Sequence, residues 1–190
     1  MVVINDIYKK YIKLLTKAVA CVDNEYIDIY TKRDEVEFIK HYERIFCYEL
    51  YHKIRCLQTK LNLKNYVIWG EPLKSYFEYI EDGKMPDFLF HKPRTDDNLI
   101  IVEVKMVDSL NSGVDDDFKK IENYLENNNY KIGVFICIGL SADETREKIK
   151  SKLKDKYNEF YGKDVFLICR NNSETCCERL NPKEIIKCQD

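Results

Sequence analysis

The chain has 190 residues, the length of one domain, and its 45% hydrophobic and 34% charged residues are those of a folded globular protein rather than a disordered or fibrous one. A formal net charge of -2 excludes a whole-protein basic field, so any contact with nucleic acid has to be made by a local patch. No apolar run has membrane-spanning length, and "MVVINDIYKKYIKLL" is interrupted by charge too early for a signal peptide, so a cytoplasmic protein with no membrane partner is expected.

The first predicted element is a helix from Asn5 to about Val22, where Ile7, Tyr8, Tyr11, Leu14, Leu15, Ala18 and Val19 recur at helical spacing. Lys9, Lys10, Lys13 and Lys17 lie mostly off that stripe and read as a solvated face. A longer helix is expected over 34–58, "DEVEFIKHYERIFCYELYHKIRCLQ", with Asp34 as N-cap and Glu37 as its capping-box partner. Its stripe is read as Phe38, Tyr42, Ile45, Phe46, Leu50 and Leu57. "NYVIWGEPL" reads as a strand stopped by Gly70 and Pro72. Two strands follow at about 86–90 and 98–106, joined by the polar, proline-containing "HKPRTDD" of a hairpin loop. "DDDFKKIENYLENNN" reads as a helix and "YKIGVFICIGL" as a buried strand. Ser141 and Glu144 then form a capping box opening the helix "ADETREKIKSKLKDKYNEFY". "DVFLICR" is a last strand, and "NPKEIIK" adds a short turn. The order α, α, β, β, β, α, β, α, β predicts one α/β or α+β domain, a mixed sheet flanked by helices.

Eight cysteines form no CxxC and no zinc-like His/Cys spacing. Cys137 and Cys169 read as small core residues, and the adjacent Cys176 and Cys177 as reduced loop thiols. His41 and His91 read as surface residues. Tyr76, Phe77 and Tyr79 read as packing or anchoring groups, with base stacking as the alternative.

Charge in the hairpin needs an explanation. Glu103 and Lys105 are two residues apart, so they share a strand face with Ile101, while Ile100, Val102, Val104 and Met106 share the other. With the turn centred near Thr95, Asp87 falls opposite Glu103, where Cβ atoms approach to about 5 Å. Carboxylates that close repel unless a cation stands between them, and either Lys105 or a divalent metal can be that cation. On the long helix, Glu49 lies near the predicted stripe. It either joins this group, with His52 orienting it, or pairs with Lys53 at the stripe's edge.

These residues resemble the PD-(D/E)xK nuclease superfamily: Pro86-Asp87 on one strand, Glu103-Val104-Lys105 on the next. "YELYHKIR", "PDFLFH" and "NLIIVEVK" are similar to a group of small prokaryotic members. The resemblance implies a restriction-endonuclease-like αβββαβ core over about 34–140, with an extra N-terminal helix in 1–33 and a helix–strand extension in 141–190. It implies Asp87, Glu103 and Glu49 as ligands of Mg2+ or Mn2+, and Lys105 as the group acting on the attacking water or the phosphate. It implies Lys120, or the equally available Lys119, as a phosphate contact. The expected activity is hydrolysis of nucleic acid, DNA ahead of RNA, with a homodimer as one way to cut two strands. A nuclease-like fold that binds nucleic acid or protein without cutting is the alternative, and an unrelated α/β protein with an accidental motif is a third.

Overall fold

Every residue of the run Ile132–Ile138 is buried, and so are all but Asn98 and Lys105 of the run Asn98–Met106. Strands apolar on both sides need cover on both sides, which fixes a layered architecture. The computed structural model describes residues 6–33, 36–70, 85–154, 157, 160, 163–171 and 174–180. In chain order these form α1 (Asp6–Ala20), β1 (Ile29–Arg33), β2 (Val36–Lys40), α2 (Glu43–Lys60), β3 (Val67–Gly70), β4 (Phe88–His91) and β5 (Asn98–Met106). There follow α3 (Val114–Asn127), β6 (Ile132–Ile138), α4 (Ala142–Leu153), β7 (Val165–Arg170) and β8 (Thr175–Arg179).

Among the described residues the fold is a six-stranded mixed sheet, ordered β3-β4-β5-β6-β7-β8, with a separate two-stranded sheet, β1-β2, and four α-helices. β3, β4 and β5 are antiparallel neighbours, β5, β6 and β7 are parallel, and β8 returns antiparallel to β7. The parallel pairs are joined through α3 and α4, the crossovers such pairs require. α1 and α2 cover one face, burying Leu15, Phe46, Leu50 and Ile54 against Phe90, Val102, Val104 and Ile136. α3 and α4 cover the other, burying Phe118, Ile121, Tyr124 and Ile149 against Leu89, Ile101, Phe135 and Leu167. Both faces of β5 are therefore enclosed, including the one that carries Glu103. Among the described residues no helix is long and apolar enough to cross a membrane.

Most elements sit where the sequence puts them, and the Ser141–Glu144 capping box is formed in both directions. The long helix is the main correction. α2 begins at Glu43, and the preceding segment is strand β2, with Arg33 opposite Val36 and Ile29 opposite Lys40. "VEFIK" and "IYTKR" are rich in β-branched and aromatic residues, and their pairing outweighs the capping pattern. Glu37 stands opposite Lys32 in the hairpin and caps nothing, while Asp34 lies outside the described residues. Cys176 and Cys177 are strand residues of β8, not loop thiols. His91 is 9% exposed and packs edge-on against Trp69, so it is a core-margin residue rather than a surface one. Pro72, Tyr76, Phe77, Tyr79 and "NPKEIIK" lie outside the described residues.

Candidate functional site

β5 outruns its antiparallel partner. β4 begins at Phe88 opposite Val102, so Glu103 to Met106 extend past it with one strand edge open. One carboxylate takes an N–H group that a longer β4 would have paired. The Asp87 Oδ2 accepts from the Val104 N–H at 2.7 Å. Glu43, the first residue of α2, stands near the Met106 backbone at the same open edge. Continuing the β4–β5 register by one residue sets Asp87 opposite Glu103.

α3 supplies the rest. Asp117, Lys120, Ile121 and Tyr124 fall at i, i+3, i+4 and i+7, the face laid on the sheet. Glu103 is 2% exposed; its Oε2 accepts from the Lys120 Nζ at 2.6 Å, and its Oε1 has no hydrogen-bond partner. The Lys120 Nζ also lies 3.4 Å from the Asp117 Oδ1 and 3.5 Å from the Met85 carbonyl. The Lys105 Nζ lies 2.9 Å from the Asp117 Oδ2.

Carboxylates outnumber ammonium groups four to two in this cluster, and the titration behaviour follows from that excess and from burial. Burial pushes Asp87 up to about 7, and the Glu43 and Asp117 charges add to it. The Val104 N–H and Lys120 oppose the rise without cancelling it. Burial and the neighbouring Asp87 raise Glu103 well above the ordinary glutamate range. Burial also raises Glu43, against the pull of Lys105. For Lys105 and Lys120 burial pulls down, but Asp117 and Glu103 respectively outweigh it, so both stay firmly charged.

Asp87, Glu103, Lys105 and Lys120 thus meet at one end of β5. Glu49 does not join them: it pairs with Lys53 at 3.0 Å, and Lys53 also bonds Asp23 at 3.0 Å. The buried stripe of α2 is Phe46, Cys47, Leu50, Ile54 and Leu57, and Glu49 lies about 100° round from Leu50. The exposed His52 sits 3.6 Å from the Cys56 Sγ and does not orient Glu49. Lys119 points outward, 61% exposed, 3.6 Å from Asp116, so Lys120 is the amine of that pair that reaches the cluster.

Glu43 and Asp117 were not foreseen. Both carried a usable signal, since each precedes an apolar residue of its own helix stripe by three or four positions. His41, read from sequence as a surface group, bridges Asp28 at 3.1 Å and Asp108 at 2.7 Å. It ties the start of α2 to the turn after β5, which holds Glu43 at the strand edge.

Among the described residues no group of three or more His, Cys, Asp or Glu side chains is arranged to hold a metal ion. A magnesium site does not need three, because this ion keeps most of its waters and is commonly held by one or two carboxylates. The unpartnered Glu103 Oε1 and the mutual repulsion of Asp87 and Glu103 fit such a ligand pair. Comparison of the chain with protein-family models, with curated proteins and with solved structures gave no match.

Proposed function

We propose that this protein is a metal-dependent nuclease with its active site at the C-terminal end of β5. The observation that carries the reading is the convergence of Asp87, Glu103, Lys105 and Lys120, with a buried carboxylate oxygen left unsatisfied. The sequence α2, β3, β4, β5, α3, β6 also follows the αβββαβ order that the resemblance implies.

Asp87 and Glu103 would hold a divalent cation, which when bound supplies Lewis acidity at a phosphoryl oxygen and a more acidic water. The Val104 N–H fixes one Asp87 oxygen and leaves the other for a ligand. Asp117 holds the Lys105 ammonium beside the strand end, where it can neutralise charge developing on a phosphate. Lys120 neutralises Glu103 in the resting protein and is the nearest second cation for a phosphate oxygen. Glu43 stands at the same strand edge with its basicity raised, suited to accept a proton from water.

The test is cleavage of duplex DNA, single-stranded DNA and RNA by the full chain with magnesium or manganese. Asp87→Ala and Lys105→Ala are each expected to reduce cleavage by at least about 100-fold. Cleavage unchanged in both variants overturns the proposal.

A second reading is a non-cutting module that binds nucleic acid or protein. It is favoured by the two lysines, which already neutralise Glu103 and Asp117 without a metal. Calorimetric titration with manganese separates the two. Binding that is lost in Glu103→Ala supports the nuclease, and no binding to the wild type supports the module.

A further inference from the structure

Three thiols cross the main sheet in one row. Cys137 on β6 is level with Cys169 on β7, and Cys169 lies directly opposite Cys176 on β8. Cys137 and Cys169 are buried in the core beneath α3 and α4, whereas Cys176, on the edge strand, is partly open at its margin. Successive strand residues face opposite ways, so Cys177 belongs to the other core. The pair adjacent in sequence is therefore not a pair in space.

Cys169 and Cys176 are directly opposed, so their side chains lie on the same face of the sheet. Their register is pinned on either side by Asn171 N–H to Glu174 O at 3.1 Å and Leu180 N–H to Val165 O at 2.7 Å. Opposed residues in such hydrogen-bonded positions have Cα atoms about 5.5 Å apart, inside the range a disulfide spans. The two sulfurs are chemically unequal. The neighbouring Cys176 sulfur and then burial hold the Cys169 thiol up. The neighbouring Cys169 thiol, helped by its backbone, holds Cys176 down against burial and the charges of Glu178 and Glu174. Burial keeps Cys137 protonated, up at about 11. The more acidic thiol is thus the accessible one, with a buried thiol directly opposite it, the arrangement of a peroxide-sensing pair.

We infer that Cys176 and Cys169 are a redox modification site, a dithiol that hydroperoxides convert into a cross-strand disulfide on the edge hairpin. The Cys176 thiolate attacks one peroxide oxygen. An S–O bond forms, the O–O bond breaks, and the departing hydroxide leaves as water after taking a proton, so that Cys176 is a sulfenic acid. The Cys169 sulfur then attacks the Cys176 sulfur. An S–S bond forms, the S–O bond breaks, and hydroxide leaves as water with the Cys169 proton. Two thiols have lost two hydrogens, and hydrogen peroxide has become two waters. Neither sulfur touches the carboxylate cluster, so this site stands or falls apart from the hydrolytic reading.

The experiment uses the reduced full chain and stoichiometric hydrogen peroxide, followed by alkylation, trypsin cleavage and mass spectrometry. Cleavage after Arg170 separates the two cysteines, so the disulfide links two peptides. The expected result is the loss of two hydrogens and a Cys169–Cys176 cross-link while the exposed Cys21 and Cys56 are still fully alkylated. In Cys169→Ser, Cys176 should stop at the sulfenic acid and be tagged by dimedone. A Cys137–Cys169 or Cys176–Cys177 link in the wild type, or modification of Cys21 and Cys56 first, overturns the inference. The wild-type map decides even where the serine variant fails to fold.

Discussion

Asp87 illustrates how a buried carboxylate of the candidate site can work against the fold that holds it. Burial and neighbouring carboxylates raise it from an ordinary value of 3.8 to about 7. The folded state therefore binds a proton that the unfolded chain has already released, and between about pH 4 and pH 7 stability falls as pH rises. Below that window both states are protonated and the cost vanishes; above it the cost is complete. Asp87→Asn keeps an oxygen for the Val104 N–H and removes the charge. We expect the variant to match wild type near pH 4 and to exceed it by roughly 1–3 kcal/mol at pH 8, measured by urea denaturation. The same substitution should abolish cleavage. A stability difference that does not grow with pH would show that the carboxylate is not strained by its site. Glu103 and Glu43, raised for the same reason, add to the same slope.

At the scale of elements, β3 to β7 and α3 were legible because their signals are local. Asp87, Glu103 and Lys105 were found because a period of two assigns a face and a hairpin assigns a register. The observed pairing of Phe88 with Val102 is the one that register demands. α2 was misread because a helix phase is fixed only by its true start. Placing the start at Asp34 drew Phe38 and Tyr42 into the stripe, and the real stripe is carried by Phe46, Cys47, Leu50 and Ile54. That rotation is what brought Glu49 close to the expected stripe. The enclosure of Glu103 was not legible either, since the cover comes from α3, distant in sequence, and no local pattern reports it. The corrected phase makes a prediction. Glu43→Gln should reduce cleavage at least about tenfold. Glu49→Gln should leave cleavage within about twofold, since its pair with Lys53 lies at the surface. Equal effects on cleavage would mean that the strand-edge position of Glu43 is irrelevant to the chemistry.

At the scale of the whole molecule, the candidate site belongs to no single element: it needs the start of α2, the residue before β4, the end of β5 and the first two turns of α3. The last of these depends on how closely α3 lies on the sheet. Gly133 on β6 sets that distance, because a Cβ there would stand 2.4 Å from the Ile121 Cγ2. Ile121 is the next residue after Lys120 and one turn beyond Asp117, so lifting it lifts both away from Glu103 and Lys105. A glycine in a strand interior is ordinarily a weakness, and alanine there usually helps by about 0.5–1 kcal/mol. Here the sign should reverse. Gly133→Ala is expected to cost about 1–3 kcal/mol in urea denaturation, as overpacking does, and to lower cleavage with it. Combining it with Ile121→Ala removes the Cγ2 methyl that a Cβ would meet, so the cost of the double variant should fall short of the sum of the two single costs by at least about 0.5 kcal/mol. Simple additivity of the two substitutions would mean that the helix is not seated on Gly133. The site would then have to be held in place by the lysine–carboxylate pairs alone.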